Sequence, residues 1–197
     1  MGSLASNTTA SNNTAVGRAA LLLNTTGANN TAVGERALAD NTTGYENAVM
    51  GADSSRLCTT GRQNVSIGYS SMHNLTSGKE NVVIGQNAGY SLTTADENTF
   101  IGQSAGYHNS TGQKNTFIGR KAGQANTTAN YNTYIGHKTG QTNTTASNNT
   151  AVGTSAMYYG TTAENNTALG YNALQNVTTG DGAVAIGKGC LDSCTTG

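Results

Sequence analysis

The chain has 197 residues with ten basic and ten acidic side chains, so its formal net charge is zero, and it contains no Pro and no Trp. That balance gives no footprint for nucleic acid or an anionic membrane, and no apolar run approaches the ~20 residues of a membrane span. The opening Met1-Gly2-Ser3-Leu4 has neither the basic nor the apolar region of a signal peptide, so the chain reads as a segment of something longer.

From Asn13 onward one motif keeps returning. Asn13-Thr14-Ala15-Val16-Gly17 is followed by Asn30-Thr31-Ala32-Val33-Gly34, Asn47-Ala48-Val49-Met50-Gly51, Asn64-Val65-Ser66-Ile67-Gly68 and Asn81-Val82-Val83-Ile84-Gly85. The copies headed by Asn98, Asn115, Asn132, Asn149 and Asn166 follow, ending in Gly102, Gly119, Gly136, Gly153 and Gly170, and Ala183-Val184-Ala185-Ile186-Gly187 closes the series. The glycine recurs every 17 residues without insertion or deletion. A fixed short period is the signature of stacked repeats. It predicts one all-β domain over 1–197, a parallel β-solenoid of about eleven coils and roughly 50 Å in length.

Within each copy the residue three before the glycine is β-branched, except Ala48, and the residue one before it is apolar. The latter row is Val16, Val33, Met50, Ile67, Ile84, Ile101, Ile118, Ile135, Val152, Leu169 and Ile186. Such alternation predicts a short strand with these two rows facing the core. The residue between them then faces outward, giving a row of Ala, Val and Ser that becomes Phe100, Phe117 and Tyr134 in mid-chain. Two readings of that aromatic stripe stay open: it fills a contact between chains, or it stacks on the sugar rings or side chains of a receptor. Later in each copy a Thr-Thr pair, Thr25-Thr26 onward, predicts a second short strand bounded by turn residues. The Asn row (Asn13, Asn30, Asn47, Asn64, Asn81, Asn98, Asn115, Asn132, Asn149, Asn166) predicts a structural ladder, because an amide can donate and accept along a stack.

The three cysteines suggest neither a disulfide framework nor a zinc site. Cys58 and Cys194 are eight coils apart, while Cys190 and Cys194 share a coil and their pairing stays open. His73, His108 and His137 occupy three different repeat positions, and the carboxylates form no repeated pair. No constellation for acid–base chemistry emerges, so the expectation is a non-enzyme without cofactor or metal. The many Asn-x-Ser/Thr sites, including those at Asn7, Asn24, Asn41, Asn64, Asn74, Asn109, Asn126, Asn143 and Asn176, would make a glycosylated extracellular filament in a secretory context. In a repeat of Asn and Thr, though, such sites arise automatically. The Thr-Thr ladder gives a further alternative, an ice-binding solenoid with one outward Thr row.

The copy Ala183-Val184-Ala185-Ile186-Gly187-Lys188-Gly189-Cys190 resembles the repeat in the heads of trimeric autotransporter adhesins. Copies such as Asn30 to Gly44 are similar to arrays in phage tail fibres. The adhesin family's usual repeat is shorter than this one, so the turns here must differ. The resemblance implies a left-handed β-roll assembled as a side-by-side homotrimer, located on a virion tail fibre or cell surface and presenting a face to a host glycan or protein receptor.

Overall fold

The computed structural model describes residues 2–193. Cys194, Thr195 and Thr196 lie outside the described residues, and with them the question of a Cys190–Cys194 pair. Eleven strands occur, each of three residues: Thr14–Val16 (β1), Thr31–Val33 (β2), Ala48–Met50 (β3), Val65–Ile67 (β4), Val82–Ile84 (β5), Thr99–Ile101 (β6), Thr116–Ile118 (β7), Thr133–Ile135 (β8), Thr150–Val152 (β9), Thr167–Leu169 (β10) and Val184–Ile186 (β11). They form one parallel sheet in chain order, each strand pairing in register with the next, so that Phe100 lies opposite Phe117 and Phe117 opposite Tyr134. The fold is the expected all-β parallel solenoid, one coil per repeat, with no helix among the described residues.

The facing of the strands reverses the sequence expectation. The middle residue of each strand points inward: Ala32, Val49, Val83, Phe100, Phe117, Tyr134 and Ala151 are buried. The rows on either side point to solvent, with Val16 58%, Met50 52% and Ile186 67% exposed. Strand alternation predicts only which residues share a side. The side taken here goes with the Asn preceding β2 to β10, which lies two positions before the middle residue and is buried with it, while β11, preceded by Ala183, follows by pairing in register with β10. These Asn side chains hold the coils together from inside, and the β-branched rows are left on the outer surface.

Asn98 illustrates the ladder. Its N–H donates to Asn81 Oδ1 (3.0 Å) and its Nδ2 to the Gly112 carbonyl (2.9 Å), while its own Oδ1 accepts from the Asn115 N–H (3.0 Å). One amide thus satisfies buried backbone groups in adjacent coils. A second buried Asn row (Asn24, Asn41, Asn109, Asn126, Asn143) stands seven positions after the glycine. In it, Asn41 Nδ2 donates to Asn24 Oδ1 (2.7 Å) and to the Gly44 carbonyl (3.0 Å). Cys58, Leu75 and Leu92 replace it with apolar packing in mid-chain.

The Thr-Thr pairs are not strands. Thr25 and Thr26 both donate their N–H to the one carbonyl of Thr42, and the Thr25 hydroxyl donates to the same oxygen (2.9 Å). Donors converging on one acceptor make a bend, whereas a ladder needs alternating partners. Elsewhere the coil turns through left-handed backbone at residues other than glycine, as at Arg36 (φ 54°), Leu38 (51°) and Glu46 (57°). Each costs about 1–2 kcal/mol, which packing and hydrogen bonding between stacked coils must offset.

The interior is filled by two positions acting together. Where the strand centre is Ala32 or Ala168, the residue six places on is Leu38 or Leu174, fully buried beneath it. Where the centre is Phe100, Phe117 or Tyr134, that residue is Gly106, Gly123 or Gly140. A Cβ on Gly123 would meet Phe117 Cδ2 at 2.6 Å. Most coils therefore hold either a small centre with a long partner or a ring with none, an exchange that offsets the change in volume, while Val49 with Ser55 and Val83 with Gly89 stand between the two.

Candidate interaction surface

Phe100, Phe117 and Tyr134 are not a contact surface; this corrects the sequence expectation. Their rings are fully buried and stacked at 4.8 and 5.2 Å, within 9° of parallel. The phenol of Tyr134 accepts a hydrogen bond from Asn143 Nδ2 (2.6 Å), and burial pushes its pKa up. Burial also pushes the Cys58 thiol up, to about 12.

The surface that replaces the stripe is the outer face of the sheet. One row is Thr at β1, β2 and β6–β10, Val at β4, β5 and β11, and Ala48 at β3. The other is the Val, Ile, Met and Leu row before the glycines, of which Val16, Met50, Ile67, Ile101, Leu169 and Ile186 are exposed. Neither row holds a charged residue. Eleven strands of three residues give a face of about 50 Å by 10 Å, in the range where the largest apolar patch on a soluble protein is commonly a functional one. The β-branched alternation that suggested a core was the signal for this face, read with the wrong side inward.

No family model, curated protein or solved structure matches this chain. Its functional reading therefore rests on geometry.

Other surface features can be placed on the same frame. His73, Tyr90 and Tyr107 stack on successive coils (5.2 Å apart), each covering the faces of its neighbours and leaving mainly ring edges to solvent. Tyr69 and Tyr171 are exposed, and Lys188 lies over the Tyr171 ring. His73, His108 and His137 are spread over three rows, and no group of three or more metal-ligating residues occurs among the described residues. Among the described residues no helix is long and apolar enough to cross a membrane. The Arg18 guanidinium hydrogen-bonds Glu35 and, with its charge, holds that carboxyl below the usual range.

Six of the thirteen Asn-x-Ser/Thr sites are closed to modification of the folded chain: Asn24, Asn41, Asn64, Asn109, Asn126 and Asn143 are buried. Their amide nitrogens are also engaged, that of Asn24 by the Gly27 carbonyl (2.9 Å) and that of Asn64 by the Gly78 carbonyl (2.8 Å). Glycosylation at these six does not fit this interior. Asn7, Asn12, Asn29, Asn148 and Asn165 head further sites and are exposed, and Asn74 and Asn176 are half-buried.

The two buried acids have a measurable consequence. The Cys58 thiol, ordinarily titrating near 9, and the Tyr134 phenol, ordinarily near 10, are both held protonated in the fold. A raised folded pKa contributes stability below the unfolded value and loses it as pH rises through the folded one. The denaturation midpoint should therefore fall as pH rises from about 9 towards about 12, and Cys58→Ala should reduce that fall.

Proposed function

We propose that the chain is a rod segment of an attachment fibre, a tail-fibre shaft or surface adhesin, built as a side-by-side homotrimer. The observation that carries this reading is the uncharged sheet face, continuous and in register from β1 to β11. Packing three such faces about a common long axis removes apolar surface from water over the whole rod, at about 25 cal/mol per Å². It also thickens the core of a coil that alone encloses few side chains. The left-handed roll and the threefold arrangement are what the adhesin-like repeat implies. Function is then geometric: the rod spaces and projects contact surfaces toward a host glycan or protein, and three copies multiply weak contacts. No catalytic role enters this reading.

The test is Ile67→Lys with Ile118→Lys. Both side chains lie on the outer face, so the coil itself should fold with an unchanged circular dichroism spectrum. The sedimentation mass should fall to that of one chain. An assembly that keeps its mass with both lysines in place would place the contact elsewhere.

Ice binding is the second reading, moved from the Thr-Thr pairs to the sheet face. The hydroxyl of the first Thr of the pair is spent on a carbonyl, as at Thr42 and Thr59. The sheet face instead offers two rows, with Thr14, Thr31, Thr150 and Thr167 exposed. Thermal hysteresis by a monomeric chain would favour it.

A further inference from the structure

Most cations on the rod have a partner. Arg18 pairs with Glu35, Arg36 with Asp53 (2.8 Å), Lys79 with Glu80 (3.7 Å) and Lys114 with Glu97 (4.0 Å). Arg62 and Lys188 lie over the rings of Tyr45 and Tyr171. Arg56 is an isolated half-buried cation on another row. The exception is a patch at β7 and β8, where Arg120, Lys121, His137 and Lys138 fill the two positions after the glycine in consecutive coils.

None of the four belongs to an ion pair among the described residues. Arg120 Nε donates to Gln103 Oε1 (3.0 Å) and its Nη1 lies 3.4 Å from His137 Nε2. The Lys138 N–H donates to the Arg120 carbonyl (3.0 Å), so the stacking sets Arg120 beside His137 and Lys121 beside Lys138. Lys121 and Lys138 are therefore like charges stacked in register on neighbouring coils, which costs stability, and no carboxylate among the described residues pairs with either. A local rule broken without an internal gain marks a functional position.

We propose that this patch binds the sulfate or carboxylate groups of an acidic polysaccharide. The guanidinium fork of Arg120 suits two-point recognition of such oxyanions, and the lysines supply charge around it. Gln86, Asn87, Gln103 and Ser104 precede the patch on the same rows, and Thr154 and Ser155 follow it, providing neutral donors and acceptors for sugar hydroxyls. The cations span two coils, about 5–10 Å, which matches one or two anionic substituents. A nucleic acid would need a longer cationic track interleaved with exposed rings, and the exposed rings of this row, Tyr69 and Tyr171, stand two or more coils away.

The test is binding of the full chain to an immobilised heparin oligosaccharide, with hyaluronate as the unsulfated acidic probe, dextran as the neutral one and single-stranded DNA as the nucleic-acid one. Lys121→Gln with Lys138→Gln should weaken heparin binding by about tenfold or more, since charge-assisted contacts are lost. The two lysine side chains make no ion pair among the described residues, so the variant should fold. Arg18→Gln with Arg36→Gln removes the same net charge and should leave affinity within about twofold. Binding to heparin alone, or to heparin and hyaluronate, supports the site and says which oxyanion it prefers. Binding no stronger than to dextran, equal losses in the two variants, or DNA bound as well as heparin would overturn it. The site lies within one chain, so the outcome is independent of whether three chains assemble.

Discussion

Replacing Phe117 with Ala should destabilise the chain by about 3–5 kcal/mol, and Gly123→Leu alone should also destabilise it, by about 1–3 kcal/mol or more. The double variant should recover most of the combined loss. The first change empties a ring-sized space at the centre of the coil that follows Asn115. The second drives a side chain into the Phe117 ring, which a Cβ on Gly123 would already meet at 2.6 Å. Together they convert that coil to the composition of its relatives, Ala32 with Leu38 and Ala168 with Leu174. The left-handed backbone at Gly123 (φ 55°) is no obstacle, because Leu38 and Leu174 hold the same conformation at φ 51° and 50°. Chemical denaturation of the four proteins gives the coupling energy. If the two losses simply add, the interior is not filled by this exchange.

Gly102→Ala should be a severely damaging single methyl, costing more than about 4 kcal/mol. Gly102 sits at φ 134°, and a Cβ there would lie 2.6 Å from both the carbonyl carbon and the oxygen of Gly119 in the next coil. Neither backbone can retreat, since the Gly119 N–H donates to the Ile101 carbonyl (2.7 Å) and fixes the coil spacing. Gly187→Ala provides the contrast. Its φ is 123°, but a Cβ there meets nothing within 4 Å. That variant should therefore lose only the backbone strain, about 1–3 kcal/mol. The difference between the two measures what close stacking of the glycine row requires.

Both variants turn on features that differ in how far the sequence discloses them. The period, the strand positions and the Asn row were legible because each is repeated at a fixed position, and stacking in register turns position directly into contact. The orientation of the strands was not. Val16, Ile67 and Ile101 carry the strongest apolar pattern, yet a three-residue strand is too short for that pattern to decide the buried side when the buried Asn before it has already done so. The pairing of Phe117 with Gly123, or Ala32 with Leu38, did offer a signal, since the two positions change together along the chain. Read that way it would have placed Phe100, Phe117 and Tyr134 inside. The left-handed turns at Arg36, Leu38 and Glu46 leave no compositional mark, because stacked coils hold residues other than glycine there. The Asn-Thr-Thr-Gly spacing marks the second Asn row, but composition does not disclose its role, which the burial of Asn24 and Asn41 in the interior supplies. The cationic patch stands in plain sequence as Arg120-Lys121 and His137-Lys138, and only the placement of every other charge singles it out.

The measurement that tests the fibre reading most directly is the native mass of the unaltered chain, by light scattering at two concentrations. The account predicts a mass three times the 20.0 kDa of one chain, unchanged on dilution. A single-chain mass at both concentrations would contradict it, leaving the Val16-to-Ile186 row facing water along the whole rod.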